Sequence, residues 1–211
     1  TSSASEQNIL TLATAAGYNA ATDSTPIIVN IASGVTISGS STHALRTGAL
    51  NANSDLTINI SGSVDGFTGA TNTALRGVGS AGGDALFFET LTGGTGTYIV
   101  NVLSGANLRG GGGGGGGGGT RGSAYQTHDY KYGNCYNLTY GSHGSSGAAG
   151  GFGAAGSQGS SGSTPSGTGN CNHLKTYGTA GGAGGAAGFA ARFGGRTVSV
   201  NNSGTIAGST A

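Results

Sequence analysis

Gly141-Ser142-His143-Gly144-Ser145-Ser146-Gly147-Ala148-Ala149-Gly150-Gly151-Phe152-Gly153-Ala154-Ala155-Gly156-Ser157-Gln158-Gly159-Ser160-Ser161-Gly162 carries a glycine at every third position without a break. Polyproline II is the backbone helix with three residues per turn. Glycine on that beat strips one edge of such a helix of side chains, so another backbone can approach closely. Ten unbroken glycines, residues 110–119, lie upstream. Downstream, Gly178, Gly181 and Gly184 keep the beat, and Gly182, Gly185 and Gly188 take it up one residue later.

Three readings compete for this region. A flexible Gly/Ser linker has this composition, but a linker needs no fixed phase and rarely carries Phe152, Phe189 and Phe193. Collagen needs abundant proline, and the chain has only Pro26 and Pro165. The third is a packed bundle of glycine-rich polyproline II helices. Such helices make no internal hydrogen bonds, yet buried backbone groups must be paired. Each helix therefore needs neighbours, which several glycine segments joined by loops would supply.

Glycine is unevenly spread, with 15 residues before position 110 and 33 from there on. Only 35% of residues are hydrophobic and 7% charged, so a conventional core is small and backbone pairing carries more of the stability. Residues 1–109 hold six acids and three bases; residues 110–211 hold Asp129 and five bases, Arg121, Lys131, Lys175, Arg192 and Arg196. Five scattered bases suit an anionic surface but do not make a nucleic-acid stripe. No apolar run reaches membrane-spanning length, and no signal peptide is visible.

Residues 4–16 read as a short helix. Ser3 and Glu6 have capping-box spacing, Ile9, Leu12, Ala13 and Ala16 form one stripe, and Gly17 is a stop. A four-copy repeat comes next. Ile28-Val29-Asn30-Ile31-Ala32-Ser33-Gly34-Val35-Thr36-Ile37-Ser38-Gly39 has relatives beginning at Thr57, Ile99 and Ser199. Each is a β-branched strand, a Ser-Gly turn and a second short strand ending in glycine. A sister motif recurs as Ala44-Leu45-Arg46, Ala74-Leu75-Arg76 and Ala85-Leu86-Phe87. Such recurrence predicts a stacked or prism-like β body. The fourth copy follows all the glycine segments, so the chain is expected to leave the body at 110 and return near 197, with both ends of the glycine region anchored.

Two insertions interrupt the glycine beat. Residues 121–140 carry Tyr125, His128, Tyr130, Lys131, Tyr132, Tyr136 and Tyr140; residues 163–177 carry Asn172, His173, Lys175 and Tyr177. Tyrosine offers broad, rigid contact area and a hydroxyl at low entropic cost, and such residues on a stiff scaffold resemble a binding surface. Cys135 and Cys171 fall one in each insertion, each after Gly-Asn. One disulfide stapling the two loops is expected; two free thiols in a reducing compartment are the alternative.

Catalysis needs acids, bases and a nucleophile in one pocket, and the distal half offers one carboxylate. A Cys135 pairing with His128 or His173 arises easily by chance. His128, His143, His173 and the cysteines match no zinc finger or ribbon spacing, so no metal is expected. The decaglycine lacks the Gly-Lys-Ser/Thr of a phosphate loop, so no cofactor is expected either. Asn59, Asn137 and Asn201 sit in glycosylation sequons, which are common by chance.

Decaglycine followed by loops set between glycine-rich blocks, over residues 108–196, resembles the distal tail-fibre adhesins of T-even-like bacteriophages. Ala15-Ala16-Gly17-Tyr18-Asn19 running into Ile31-Ala32-Ser33-Gly34-Val35-Thr36-Ile37 looks like β-rich segments at the ends of long-tailed phage fibre proteins. The resemblance implies a sandwich of polyglycine II helices whose end loops bind a receptor on the bacterial outer membrane. The expected fold is thus mostly β with polyglycine/polyproline II helices, a β-prism or β-solenoid-like body carrying a glycine bundle. The expected layout is residues 1–109 as helix plus attachment body, 110–196 as bundle with loops, and 197–211 as the returning strand segment. The function this implies is a non-enzymatic receptor-binding adhesin at the virion tail tip. Its partners would be an outer-membrane protein or lipopolysaccharide and the rest of the fibre, in a monomeric or trimeric tip without membrane insertion. A self-assembling secreted glycine-rich fibre or surface protein is the alternative. An ice-binding face is disfavoured by the aromatic insertions.

Overall fold

The structure, a computed structural model, describes residues 4–90, 93–129, 132–167, 171 and 174–211. The β-branched repeats build one parallel sheet from β3 (Ile27–Ile31), β6 (Leu56–Ile60), β9 (Tyr98–Val102) and β14 (Val198–Asn202), in the order β14-β9-β6-β3. Its register places Ile28, Thr57, Ile99 and Ser199 side by side, the alignment read from the sequence. Asn30, Asn59, Asn101 and Asn201 form a second row. Each later asparagine donates its side-chain N–H to the oxygen of the one before, at 2.9, 2.7 and 2.8 Å. Alternation turns Ile31, Ile58, Ile60, Val100 and Val102 inward, where they are buried with Leu45, Val64, Leu86, Phe88 and Leu108.

The short second strands form another parallel sheet: β1 (Ala4–Ser5), β4 (Thr36–Ser38), β7 (Ser63–Asp65), β10 (Asn107–Arg109) and β15 (Thr205–Ala207). A third parallel sheet takes β2 (Gln7–Asn8), β5 (His43–Arg46), β8 (Asp84–Phe87) and β13 (Ala191–Arg192). Here the sister motif is corrected. Ala44-Leu45-Arg46 and Ala85-Leu86-Phe87 are neighbours in this sheet, but Ala74-Leu75-Arg76 is a turn with Arg76 at φ 61. The third row belongs instead to Ala191-Arg192, paired with Leu86 and Phe87.

The helix is shorter than its stripe suggests. α1 spans Ile9–Ala15, capped by the Asn8 side chain, which accepts from the Leu10 and Thr11 N–H groups. Residues 4–5 and 7–8 pair with β4 and β5 instead, because tertiary strand pairing outweighs a weak local helical preference. Glu6 is no capping-box partner: it sits at φ 46, and its carboxylate accepts from Ser41 Oγ and from the Ser40 and Ser41 N–H groups. Those hydrogen bonds, led by the ones from Ser41, hold its pKa down at about 2. Gly17, at φ +99, ends the helix as the sequence indicates.

Residues 66–83 and 110–189 leave these sheets. β7 runs directly into residue 66 and β10 into residue 110; the chain re-enters at β8 and β13. Both excursions therefore depart from the second sheet and return into the third, and the first sheet takes no part in them. The decaglycine lies at their centre. Its carbonyls accept from Gly153, Gly150, Gly147 and Gly144 at positions 110, 113, 116 and 119. They accept from Gly188, Gly185 and Gly182 at 111, 114 and 117, and from Gly69, Asn72 and Arg76 at 112, 115 and 118. Its own N–H groups donate on the same three-residue beat, from 111, 114 and 117 to Gly83, Ser80 and Gly77, and from 113, 116 and 119 to Ala154, Ser157 and Ser160. Neighbours on every side explain why one segment needs glycine at all ten positions while those around it need one in three. A Cβ at any of these ten would come closer than 3.0 Å to a backbone atom of another segment.

Buried Asp84 fastens the re-entry. Its carboxylate accepts the Phe189 N–H at 2.9 Å and two guanidinium N–H bonds of Arg192 at 2.8 and 3.2 Å. Asp84→Ala leaves both donors unpaired and is expected to lower unfolding free energy by about 2 kcal/mol, checked by urea denaturation.

Candidate functional site

At the far end of the glycine segments the two insertions meet. The first folds as an antiparallel hairpin of β11 (Ser123–Asp129) and β12 (Asn134–Tyr140), with Ser123 opposite Tyr140, Tyr125 opposite Leu138 and Thr127 opposite Tyr136. The second insertion lies along the other edge of β11, where Thr176 pairs antiparallel with Ser123. The two hydroxyls of that pair lie 2.9 Å apart. Cys135 and Cys171 are bonded, with Cα atoms 5.8 Å apart, and no free cysteine remains. Below this junction Thr120 Oγ1 and Thr179 Oγ1 are 2.7 Å apart, tying the base of one insertion to the base of the other.

Strand alternation divides the hairpin into two faces. On one, Ala124 and Cys171 are fully buried, and the Gln126 amide donates to Thr139 Oγ1 at 3.0 Å and to the Ser166 carbonyl. The second insertion covers that face. The other face stays open and carries Tyr125, Tyr136, Leu138 and Tyr140, the last three 46%, 41% and 54% exposed. The Arg121 guanidinium lies 4.4 Å over the Tyr140 ring, and the Lys175 ammonium 5.4 Å from the centre of the exposed Tyr177 ring. Attraction of a cation to an aromatic face is worth about 0.5–1 kcal/mol at exposed sites. The Arg121 N–H donates to His143 Nδ1 at 3.2 Å.

Of the residues singled out from sequence, Tyr125, Tyr136 and Tyr140 share the open face, Tyr132 is exposed beside the hairpin turn, and Lys175 and Tyr177 lie next to Thr176. His128 is in β11 opposite Cys135, with its side chain outside the described residues. Tyr130, Lys131, Asn172 and His173 lie outside the described residues. Among the described residues no group of three His, Cys, Asp or Glu is placed to hold a metal, and no helix is long and apolar enough to cross a membrane.

A third loop at this end went unmarked by sequence reasoning. Residues 73–76 turn one excursion back beside the decaglycine, with the Arg76 N–H donating to the Gly118 carbonyl at 2.8 Å. Leu75 and Val78 are 46% and 62% exposed there. The available signal was faint: Gly66 with Gly69, and Gly79 with Gly82, keep a spacing of three inside a stretch that reads as β body.

A separate apolar groove of about 550 Å³ lies away from the loops, between α1 and β3, lined by Ile9, Leu12, Tyr18, Pro26 and Ile28 among others. Leu12 and Ile28 are more than half exposed in it.

In comparison with protein families, the model described as "Phage tail fibre adhesin Gp38" matches residues 1–211. Searches of curated proteins and of solved structures return no match.

Proposed function

The chain belongs to the phage tail fibre adhesin Gp38 family, and from that membership we propose that its disulfide-joined loops are the surface that grips a bacterial receptor. The family's description makes its members adhesins of the phage tail fibre. The finer reading is ours. The glycine segments are polyglycine II helices packed around the decaglycine, forming a platform over residues 110–189 that residues 66–83 join. The strands before and after these excursions form a β-solenoid-like attachment body, whose first sheet and α1–β3 groove look toward the fibre because the excursions leave from the other two sheets. The tip is monomeric or threefold on the fibre.

One observation carries the reading: two insertions whose cysteines are 36 residues apart are bonded to each other where the glycine segments end. A fold that orders two exposed aromatic loops by covalent, hydrogen-bonded and strand contacts holds them ready for a partner, lowering the entropic cost of binding. Tyr125, Tyr136, Tyr140 and Tyr177 supply contact area. Lys175, with His128, Tyr130, Lys131, Tyr132, Asn172 and His173 of the same insertions, supplies polar and cationic groups for an outer-membrane protein or lipopolysaccharide.

Replacing residues 124–140 and 163–177 together with the loops of another family member should transfer host range and leave the melting temperature within a few degrees. The assay is adsorption of phage carrying the swapped adhesin to a panel of bacteria. Unchanged host range after the swap would place recognition elsewhere on the chain.

A further inference from the structure

At one end of the stack the first sheet stops short of the other two. The second and third sheets each gain a short strand there, β1 beside β4 and β2 beside β5, both parallel. β3 has β6 on one side and, among the described residues, no strand on the other. All five residues of β3 pair in unbroken register with Leu56–Ile60. Bonds at both ends fix the phase: the Ile27 N–H donates to the Asp55 carbonyl and the Ile31 carbonyl accepts the Ser61 N–H, each at 2.8 Å. In an extended strand the N–H and C=O of one residue point to one side and those of the next to the other. Ile27, Val29 and Ile31 therefore face β6, and the N–H and C=O groups of Ile28 and Asn30 face away from it. No left-handed residue interrupts Ile27–Ile31, and none of its side chains is charged. Pro26, in the same outward phase, has no N–H to offer, so the open row of donors begins at Ile28.

The asparagine row indicates what would complete this edge. Each asparagine donates to the one in the preceding coil, so Asn30 accepts from Asn59 while its own Nδ2 has no acceptor among the described residues. The repeated geometry aims that N–H at the next place in the row, one strand beyond β3. An asparagine of a further parallel strand would set an oxygen there. The α1–β3 groove runs along the same edge, with Leu12 on the helix wall and Ile28 on the strand wall, each more than half exposed. A strand edge facing an apolar helix across a groove offers backbone bonds on one side and side-chain contacts on the other, as strand-addition recognition requires.

We propose that an extended strand of the tail fibre completes the first sheet by pairing parallel to β3, with an asparagine beside Asn30 and branched apolar residues on either side of it. This rests on the groove being the fibre side of the attachment body. The chain's own repeat sets that sequence, because neighbouring strands ask for matching residue types across a row. Val29-Asn30-Ile31 lies against Ile58-Asn59-Ile60, which lies against Val100-Asn101-Val102.

The test mixes the whole chain with fibres of the phage assembled without the adhesin. On binding, the amides of Ile28 and Asn30 should exchange with deuterium at least about tenfold more slowly than in the free chain, while those of Ile27 and Val29, paired with β6 in both states, change little. Asn30→Asp keeps an oxygen for Asn59 and removes only the outward side-chain N–H, so it should weaken fibre binding by about tenfold and leave the melting temperature within a few degrees. Ile28→Pro, which deletes an outward backbone N–H at a sheet edge, should weaken binding at least as much. Fibre binding with both amides exchanging as in the free chain, or undiminished in both variants, overturns strand addition and leaves the body as the attachment side. Slowed exchange of the same amides on raising the chain's own concentration, without fibres, makes a second copy the occupant and overturns the fibre strand. Fibres that protect the two loops instead of the body overturn the assignment of fibre and receptor sides itself. Failure of the intact chain to bind the fibres counts against both.

Discussion

Gly114→Ala is expected to prevent the chain from folding. Gly114 donates to the Ser80 carbonyl and accepts from the Gly185 N–H, and a Cβ there would run into the Ala70 carbonyl. That obstacle is backbone held by its own hydrogen bonds, including the one Ala70 accepts from Ser80, so no side chain can swing aside. Overpacking a tight core typically costs 1–3 kcal/mol when neighbours adjust; with three backbones meeting at this point, the cost should exceed about 3 kcal/mol. Against a total stability on the order of 5–15 kcal/mol, the variant should be largely insoluble or melt far below the parent. Gly151→Ala is the matched control. An added Cβ there meets nothing within 4 Å, and its effect should stay within about 0.5 kcal/mol. Thermal unfolding of the two variants side by side decides the matter, and equal melting temperatures would refute the tight central packing.

Reducing the Cys135–Cys171 bond should release the second insertion while leaving the sheets and glycine segments intact. The bond closes a loop with a sequence separation of 36, and its removal restores chain freedom amounting to roughly 4 kcal/mol on the loop-closure model. Among the described residues, the contacts that remain include the Ser123–Thr176 bridge, the Gln126–Ser166 hydrogen bond, the Thr164 hydroxyl accepting the Gly178 N–H at 2.7 Å, and Ser163 at the base, bonded to Gly122 and Ser142. Each of these is worth only about 0.5–1.5 kcal/mol net. Limited proteolysis with and without reductant should show cleavage within residues 163–177 at least tenfold faster when reduced, and Cys135→Ser should reproduce this without reductant. Equal resistance in both states would mean that the hydrogen bonds alone order the loop.

The repeat was readable because stacked parallel strands ask the same residue types of each coil. Ile28-Val29-Asn30 and its three relatives fall into register residue for residue, since a buried row wants branched apolar side chains and an asparagine row wants its own kind. The joined cysteines were readable from their placement, one in each of two loops with no competing partner. The helix start was not, because Ser3–Glu6 spacing describes only local preference, while pairing of residues 4–8 with strands about 30 to 40 positions later is invisible in a short window. Residues 66–83 stayed hidden for a related reason. At the margin of a packed array only one backbone edge is crowded, so Phe67, Thr71 and Asn72 are tolerated and the glycine signal thins out. Tyrosine content singled out residues 121–140, but the hairpin itself, and which tyrosines share its open face, depended on the register of β11 against β12.

The three-residue ladders around the decaglycine also bear on force. If the two loops hold the receptor as proposed, a pull on them runs along segments whose cross-links run to the side, so it loads many links together in shear instead of peeling them one after another. An anchor of this kind resists a sudden jerk without needing any single strong bond.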